Sequence, residues 1–155
     1  IGLSLAHEDS SITVFATDAS WRALEVANYN ALSNQLNNVH LWQGSWLDAV
    51  RDESLDMVVS NPPYIEAEDE HLSQGDVRFE PLTALASGLD GLDDIREIIV
   101  QAKRCLKPDS WLFIEHGYHQ TQQVMALFSA AGFVQVSSQK DYGDNDRVVM
   151  GQQPL

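Results

Sequence analysis

The sequence predicts an α/β fold built on a mainly parallel sheet with an antiparallel edge. Short β-branched and apolar runs alternate with segments whose apolar residues recur at helical spacing, as in strands joined by crossover helices. The last two predicted strands follow each other through a short turn, which indicates a hairpin. In such open sheets ligands lie beyond the carboxyl ends of the strands. The residues that follow each strand are therefore the first candidates for a site.

The first half of the chain predicts two helices and three strands. The chain does not begin with Met, and its first six residues have the composition of the end of a helix. We therefore expect an earlier strand and loop to precede it, so that the fold is truncated at its N-terminus. In order, the predicted elements are a helix end at Ile1–Ala6, a strand at Ile12–Asp18, a helix that is capped by Ser20 and runs to about Leu32, and strands at Val39–Trp42 and Leu55–Ser60.

The second half predicts two further helices and three further strands. The stretch between Tyr64 and Gly91 is polar and contains several glycines, and it is too long for an idle connection in a compact domain. We expect it to cover a site. The elements after it are a helix from Asp93 to Lys107, a buried strand at Trp111–Glu115, a helix ending near Gly132, and strands at Val134–Gln139 and Arg147–Gly151 around a turn at Tyr142–Asn145.

The composition limits the classes of function. The 155 residues are enough for one domain with a single core, and we take residues 1–155 as that domain. Nine basic against twenty-three acidic residues leave a formal charge of −14, which repels a phosphate backbone and disfavours direct nucleic-acid binding. The apolar run of a membrane span and the pattern of a secretory signal are absent, so we expect a cytoplasmic protein. Cys105 is the only cysteine, and we expect it to be a packing residue. The histidines lack metal-ligand spacing, so no metal is expected, and we expect His116 to be a structural hydrogen-bonding group.

Two residues at the ends of predicted strands suggest a nucleoside site. Asp18 ends the first strand, where a carboxylate can accept hydrogen bonds from both ribose hydroxyls. It can equally be an acid that favours the start of the following helix. Trp46 follows the second strand, where its indole offers a flat face to an adenine, although a tryptophan is more often buried for packing.

The tetrad Asn61-Pro62-Pro63-Tyr64 follows the third strand directly and is the most informative motif. The two prolines restrict the backbone to few shapes, so the groups of the tetrad are held in place beyond the strand end. A turn that is merely stiffened by proline is the less specific explanation. Rigid placement at this position favours a site that orients a planar group.

A planar NH2 group suits this tetrad. An amide nitrogen is a poor nucleophile because its lone pair is delocalised, whereas a methyl group on a sulfonium is already activated for displacement. The side-chain oxygen of Asn61 and the carbonyl of Pro62 can accept the two N–H bonds, and Tyr64 can cover the face of the group. No strong base is needed, because the proton leaves after the nitrogen has become positive.

At this point the sequence resembles a known family. The acid at Asp18 and the tetrad at 61–64 are similar to class I S-adenosylmethionine-dependent methyltransferases, which have a Rossmann-like sheet. Three further segments, at Gln74–Leu82, Glu115–Gly117 and Asp141–Arg147, resemble the release-factor glutamine methyltransferase family. The Arg-Phe-Glu-Pro run inside the first of these segments is the most specific, and the similarity extends through essentially the whole chain.

The resemblance implies a cofactor and its contacts. It implies that Asp18 holds the ribose of S-adenosylmethionine, that Trp46 lies by the adenine, and that Asn61 lies between cofactor and substrate. Many relatives carry an acid where this chain has Ser45, so a contact from this position to the adenine amine is expected to be weak or absent. The family's first strand with its glycine-rich loop, and the helical domain before them, are not in this sequence, and we expect the chain alone to bind cofactor poorly.

The resemblance also implies a substrate. The family methylates the glutamine of a Gly-Gly-Gln motif in class 1 peptide chain release factors, the proteins of translation termination. Asn61, Pro62, Pro63 and Tyr64 would grip the glutamine amide, and Glu80 with Pro81 would shape the substrate channel. Two alternatives stay open: methylation of an exocyclic amine on a nucleic-acid base, and a nucleoside-binding module without catalysis.

Overall fold

The computed structural model describes residues 1–68 and 81–155, and it shows the predicted alternation of helices and strands. The elements agree closely with the sequence prediction in number and type. In chain order they are α1 (Gly2–Glu8), β1 (Val14–Asp18), α2 (Trp21–Ser33), β2 (Val39–Gln43), β3 (Leu55–Ser60), a 3-10 turn (Leu82–Ala84), α3 (Asp93–Cys105), β4 (Leu106–Glu115), α4 (Thr121–Ala130), β5 (Val134–Lys140) and β6 (Asp146–Gln152).

The described residues form two compact units, Ile1–Val50 and Arg51–Leu155. The first unit holds β1 and β2 as a parallel pair in unbroken register from Val14 opposite Val39 to Asp18 opposite Gln43. Helix α2 packs on this pair and buries Leu24 and Ala31. The parallel pairing brings the carboxyl ends of both strands to the same edge.

The second unit holds a four-stranded sheet in the order β3-β4-β6-β5. Strand β3 runs parallel to β4, whereas β6 runs antiparallel to both β4 and β5. The predicted C-terminal hairpin is therefore confirmed. Its second strand lies inside the sheet, and β5 forms the edge.

Helix α3 supplies much of the core of the second unit. An apolar stripe lies on one side of the helix, and its residues are at most 3 % exposed. Acidic residues in the first turn and basic residues in the last turn complement the helix dipole. The buried residues of the stripe are Ile95, Ile98, Ile99, Ala102 and Cys105. Cys105 is thus a packing residue, as expected, and burial raises the pKa of its thiol.

Strand β4 differs from its prediction in length and burial. It begins at Leu106, directly after α3, and a bulge separates the Leu55–Leu106 pair from the Met57–Trp111 pair. Pro108 lacks an N–H for a ladder bond, and such residues are confined to edges and bulges. Within the strand, Leu112 and Ile114 are buried while Trp111 and its alternate neighbours are only partly buried. The strand is therefore covered on one face, not on both.

The helices of the described segments are too short or too polar to cross a bilayer.

Replacing Ile98 by Ala tests whether α3 anchors the second unit. Ile98 is 1 % exposed, whereas Val100 on the same helix is 70 % exposed. We expect Ile98→Ala to lower the free energy of unfolding by about 2–5 kcal/mol, because it removes buried carbon and leaves a cavity. Urea unfolding followed by circular dichroism measures the loss. Val100→Ala is the matched control, and equal losses in the two variants would contradict the assignment.

Candidate functional site

The carboxyl end of β1 carries Asp18, which is exposed. Its Oδ1 accepts a 2.7 Å hydrogen bond from the amide of Ser20, and the Ser20 hydroxyl accepts one of 3.3 Å from the amide of Ala23. Ser20 is therefore the helix cap that the sequence predicted. Asp18 supports the start of α2, as the simpler interpretation required, and its exposed carboxylate remains accessible to a ligand.

The turn after β2 lies beside Asp18. The amide of Gly44 donates a 3.3 Å bond to the Asp18 carbonyl, which ties the two strand ends together. Trp46 follows with a φ of +47° and is half-buried. A left-handed backbone is unusual for so bulky a residue, and such conformations concentrate at functional sites. The first unit thus brings two of the predicted site residues to one edge.

The tetrad begins the second part of the predicted site. Pro62 is buried, Asn61 is exposed, and Pro63 and Tyr64 are half-buried at the carboxyl end of β3. Beyond it, Ile65 forms an isolated bridge with a later segment. The Ile65 amide donates to the carbonyl of Leu85, and its carbonyl accepts from the amide of Ser87, each at 2.9 Å. These two bonds therefore hold the residue that follows the tetrad.

The carbonyl of Tyr64 is held by a buried side chain that the sequence analysis did not single out. Gln120 is 1 % exposed, and its Nε2 donates to the Tyr64 carbonyl at 3.0 Å and to the Asp90 carbonyl at 3.3 Å. Its Oε1 accepts a 2.9 Å bond from the amide of Gly117. Gly91 packs against the same atoms: a Cβ added there would collide with the Tyr64 carbonyl and lie 2.7 Å from Nε2.

The end of β4 carries the Glu-His-Gly segment that the family resemblance drew on. His116 is fully buried, and its Nδ1 lies 2.8 Å from the carbonyl of Gly117, which requires a proton on that nitrogen. Nε2 has no partner among the described residues. Burial lowers the pKa of His116, so the ring is neutral near pH 7. The structural role proposed for this histidine fits these contacts.

The turn between β5 and β6 contains the other family segment. Oδ1 of Asp141 accepts the amides of Gly143 at 2.8 Å and Asn145 at 3.0 Å. These bonds, that of Asn145 above all, lower the pKa of Asp141. Arg147 contacts Asp141 at 3.4 Å and donates to the His116 carbonyl at 3.3 Å. Hydrogen bonds therefore join this turn to the end of β4.

Some of the predicted site residues lie outside the described part of the chain or away from the surface cavities. Glu80 and the rest of its Arg-Phe-Glu-Pro run, apart from Pro81, lie outside the described residues. Pro81 is exposed and begins the short 3-10 turn. Two surface cavities of about 290 and 200 Å³ lie in the first unit, and their walls include neither Asp18 nor Trp46.

Sequence reasoning did not identify Gln120, because the pattern around it is only weakly informative. It follows the Glu-His-Gly segment by three positions and precedes an amphipathic helix, where a polar residue usually caps the helix or faces water. Only the folded chain shows that its side chain is buried against the tetrad.

The fold places the chain among the methyltransferases. The model of the methyltransferase small domain family matches residues 1–77. A solved methyltransferase from Pyrococcus furiosus superposes with a TM-score of 0.73 at 16 % identity, covering 98 % of this chain and 68 % of that one. An S-adenosylmethionine-dependent methyltransferase structure from Methanosarcina mazei gives 0.62 at 17 % identity, covering 100 % and 87 %. The predicted class I methyltransferase fold is confirmed.

Curated relatives indicate which kind of methyltransferase this chain is similar to. The release factor glutamine methyltransferases of Xylella fastidiosa, Pseudomonas aeruginosa and Escherichia coli are 45 %, 46 % and 42 % identical to this chain over 99 %, 96 % and 97 % of its length. Along nearly its whole length the chain is therefore similar to release factor glutamine methyltransferases. It spans about half the length of these relatives, 54–56 %.

Gly91→Ala tests the close packing behind the tetrad. Gly91 and Gly132 both have positive φ, +72° and +82°, but around Gly132 the nearest atom to an added Cβ is 3.6 Å away. Both substitutions incur the left-handed penalty of about 1–2 kcal/mol. Gly91→Ala should lose a further 1–3 kcal/mol or so through overpacking against Tyr64 and Gln120. Urea unfolding measures the difference, and indistinguishable losses would show that the packing yields freely.

The buried His116 predicts a pH dependence of stability. Its folded pKa lies below the unfolded value, so the unfolded chain binds more protons in the interval between the two. The contribution of His116 to stability should therefore be complete above the unfolded pKa. It should decline as pH falls from about 6.5, by at most about 1.4 kcal/mol per pH unit. Unfolding titrations from pH 8 to 5 should show this decline in the native protein and in His119→Asn, an exposed-histidine control, but less of it in His116→Asn. The same slope in all three proteins would assign the effect to other groups.

Proposed function

We propose that this chain is the catalytic part, residues 1–155, of an enzyme that methylates the side-chain amide nitrogen of the glutamine in the Gly-Gly-Gln motif of class 1 release factors. The observation that carries the proposal is the tetrad, an exposed Asn61 followed by a fixed proline turn at the end of β3. The names of the relatives that align along nearly the whole chain support the same substrate.

The tetrad orients the amide. The side-chain oxygen of Asn61 and the Pro62 carbonyl accept the two N–H bonds of the glutamine NH2 group, which aims its nitrogen and favours the positive charge that develops there. The exposed position of Asn61 leaves its side chain accessible to a substrate. The proton leaves to water after the new N–C bond has formed, so no buried base is required. Tyr64 covers the planar face of the group.

The first unit would hold the cofactor, S-adenosylmethionine. The exposed carboxylate of Asp18 suits the ribose hydroxyls, and the half-exposed Trp46 beside it offers a flat surface to adenine. Both groups suit a nucleoside. When bound, the cofactor would supply a methyl group attached to a sulfonium sulfur. The methyl group is transferred without the bonding electron pair, which stays on the sulfur.

The acidic chain suits a protein partner with a basic surface. The formal charge is −14, and Glu66 and Glu68, just beyond the tetrad, are exposed. Asp69 and Glu70 of the same acidic run lie outside the described residues. Opposite charges of this kind speed encounter and orient the partner. Release factors act in translation, which is consistent with the expected cytoplasmic location.

Asn61→Ala tests the tetrad. We expect methyl transfer to fall about 100-fold or more, because one of the two acceptors that orient the amide is lost. The assay supplies labelled S-adenosylmethionine and purified release factor to the native polypeptide that contains this chain, and mass spectrometry maps the product. Asn30→Ala, on the exposed side of α2, is the matched control and should keep full activity.

Two outcomes would count against the proposal. Undiminished transfer by Asn61→Ala would remove the tetrad from catalysis. Label that appears on nucleic acid and not on the Gly-Gly-Gln glutamine would keep the amine chemistry but replace the substrate.

A further inference from the structure

The buried side-chain amide of Gln120 joins three separate segments of the second unit. Its two N–H groups point at the carbonyls of Tyr64 and Asp90, and its oxygen accepts the amide of Gly117. The partners are 56, 30 and 3 residues away along the chain. A buried amide is costly unless its donors and acceptor are all paired, and here all of them are.

These contacts suit glutamine better than any similar side chain. A leucine would fill the space but leave two carbonyls and one amide of the backbone without partners. A glutamate would place a negative oxygen against the carbonyls of Tyr64 and Asp90. The absence of a side chain at Gly91 makes room for the amide, since a Cβ there would lie 2.7 Å from Nε2.

The Tyr64 contact matters because of where it holds the tetrad. Strand β3 fixes the entry to the turn through the pairing of Ser60 with Ile114. The prolines restrict φ at their own positions, but they leave ψ at Pro63 free to rotate. The peptide group that joins Tyr64 to Ile65 is held on both sides at the exit of the turn. Its N–H donates to the carbonyl of Leu85, and its carbonyl accepts the bond from Gln120. The substrate-binding groups of Asn61 and Pro62 lie between the two fixed points.

We propose that Gln120 is a positioning residue for methyl transfer: its side-chain amide holds the Asn61–Tyr64 turn in the shape that aims the substrate nitrogen. This inference rests on the proposed function of the tetrad. Gln120 does not touch substrate or cofactor. It acts on the catalytic rate constant, because a turn that has lost one of the bonds at its exit presents its two acceptors in the right geometry only part of the time.

Gln120→Glu separates this role from a merely structural one. In its ionised form the new carboxylate cannot donate to Tyr64, whereas the protonated acid can donate one hydrogen bond and still accept the Gly117 amide. Burial and the two facing carbonyls should raise the pKa of this carboxyl. Lowering the pH should therefore restore the Tyr64 bond.

Other groups that titrate or carry charge lie on the surrounding elements, so each profile is divided by that of the native protein. On the elements around Gln120 these groups are Tyr64, Asp90, Arg96, His116, His119 and Arg147.

The experiment measures kcat for release factor methylation from pH 8 to 6 in the native polypeptide that contains this chain. We expect Gln120→Glu to lose about 10–100-fold at pH 8 and to approach native activity as the pH falls, with binding of S-adenosylmethionine unchanged. Gln120→Leu should stay impaired at every pH. Gln123→Glu, an exposed neighbour on α4, should follow the native profile throughout.

A measurement on the unmodified protein covers the case in which these variants fail to fold. In ¹⁵N-labelled protein, the side-chain NH2 protons of Gln120 should exchange with water far more slowly than those of the exposed Gln122 and Gln123. Equally fast exchange would overturn the inference, as would native kcat in Gln120→Glu at pH 8 or a deficit that does not change with pH. If Asn61→Ala is inactive and Gln120→Glu is fully active, only the positioning role fails. If Asn61→Ala is active, the proposed function itself fails.

Discussion

The packing of α3 on β4 is the constraint on which the second unit depends. The apolar stripe of the helix, exemplified by Ile98 and Ala102, lies in a core that also buries Leu112 and Ile114 of the strand. Strand β4 then pairs with β3 on one side and β6 on the other. The burial therefore sets the positions of the strand ends of the second unit, including the end of β3 that carries the tetrad.

Polar contacts fix the turns at the strand ends that this apolar packing positions. The ends of β3 and β4 carry turns whose backbone groups cannot all pair within the sheet, and side chains that are buried or half-buried satisfy them. Gln120 bonds the turns that contain Tyr64 and Gly117, and Arg147 bonds the carbonyl of His116. Each of these bonds is modest, but an unpaired buried partner would cost more, so the arrangement is specific.

The first unit also places candidate site residues at the carboxyl ends of its strands. Parallel strands β1 and β2 end at one edge, where Asp18 and the turn containing Trp46 are joined by a bond from Gly44. Side chains at this edge are accessible, and ligands of open α/β sheets bind beyond such carboxyl ends of strands.

The sequence by itself determined the alternation of elements, the C-terminal hairpin, the cap at Ser20 and the tetrad, because periodicity, capping and proline chemistry are local. It also showed the resemblance to the release-factor glutamine methyltransferase family, through short motifs that can be recognised without a structure. Only the tertiary structure decided that β4 is covered on one face and bulged near Pro108, and that Gln120 is buried against Tyr64, 56 residues away. Such long-range contacts depend on which surfaces meet, and local pattern does not encode that.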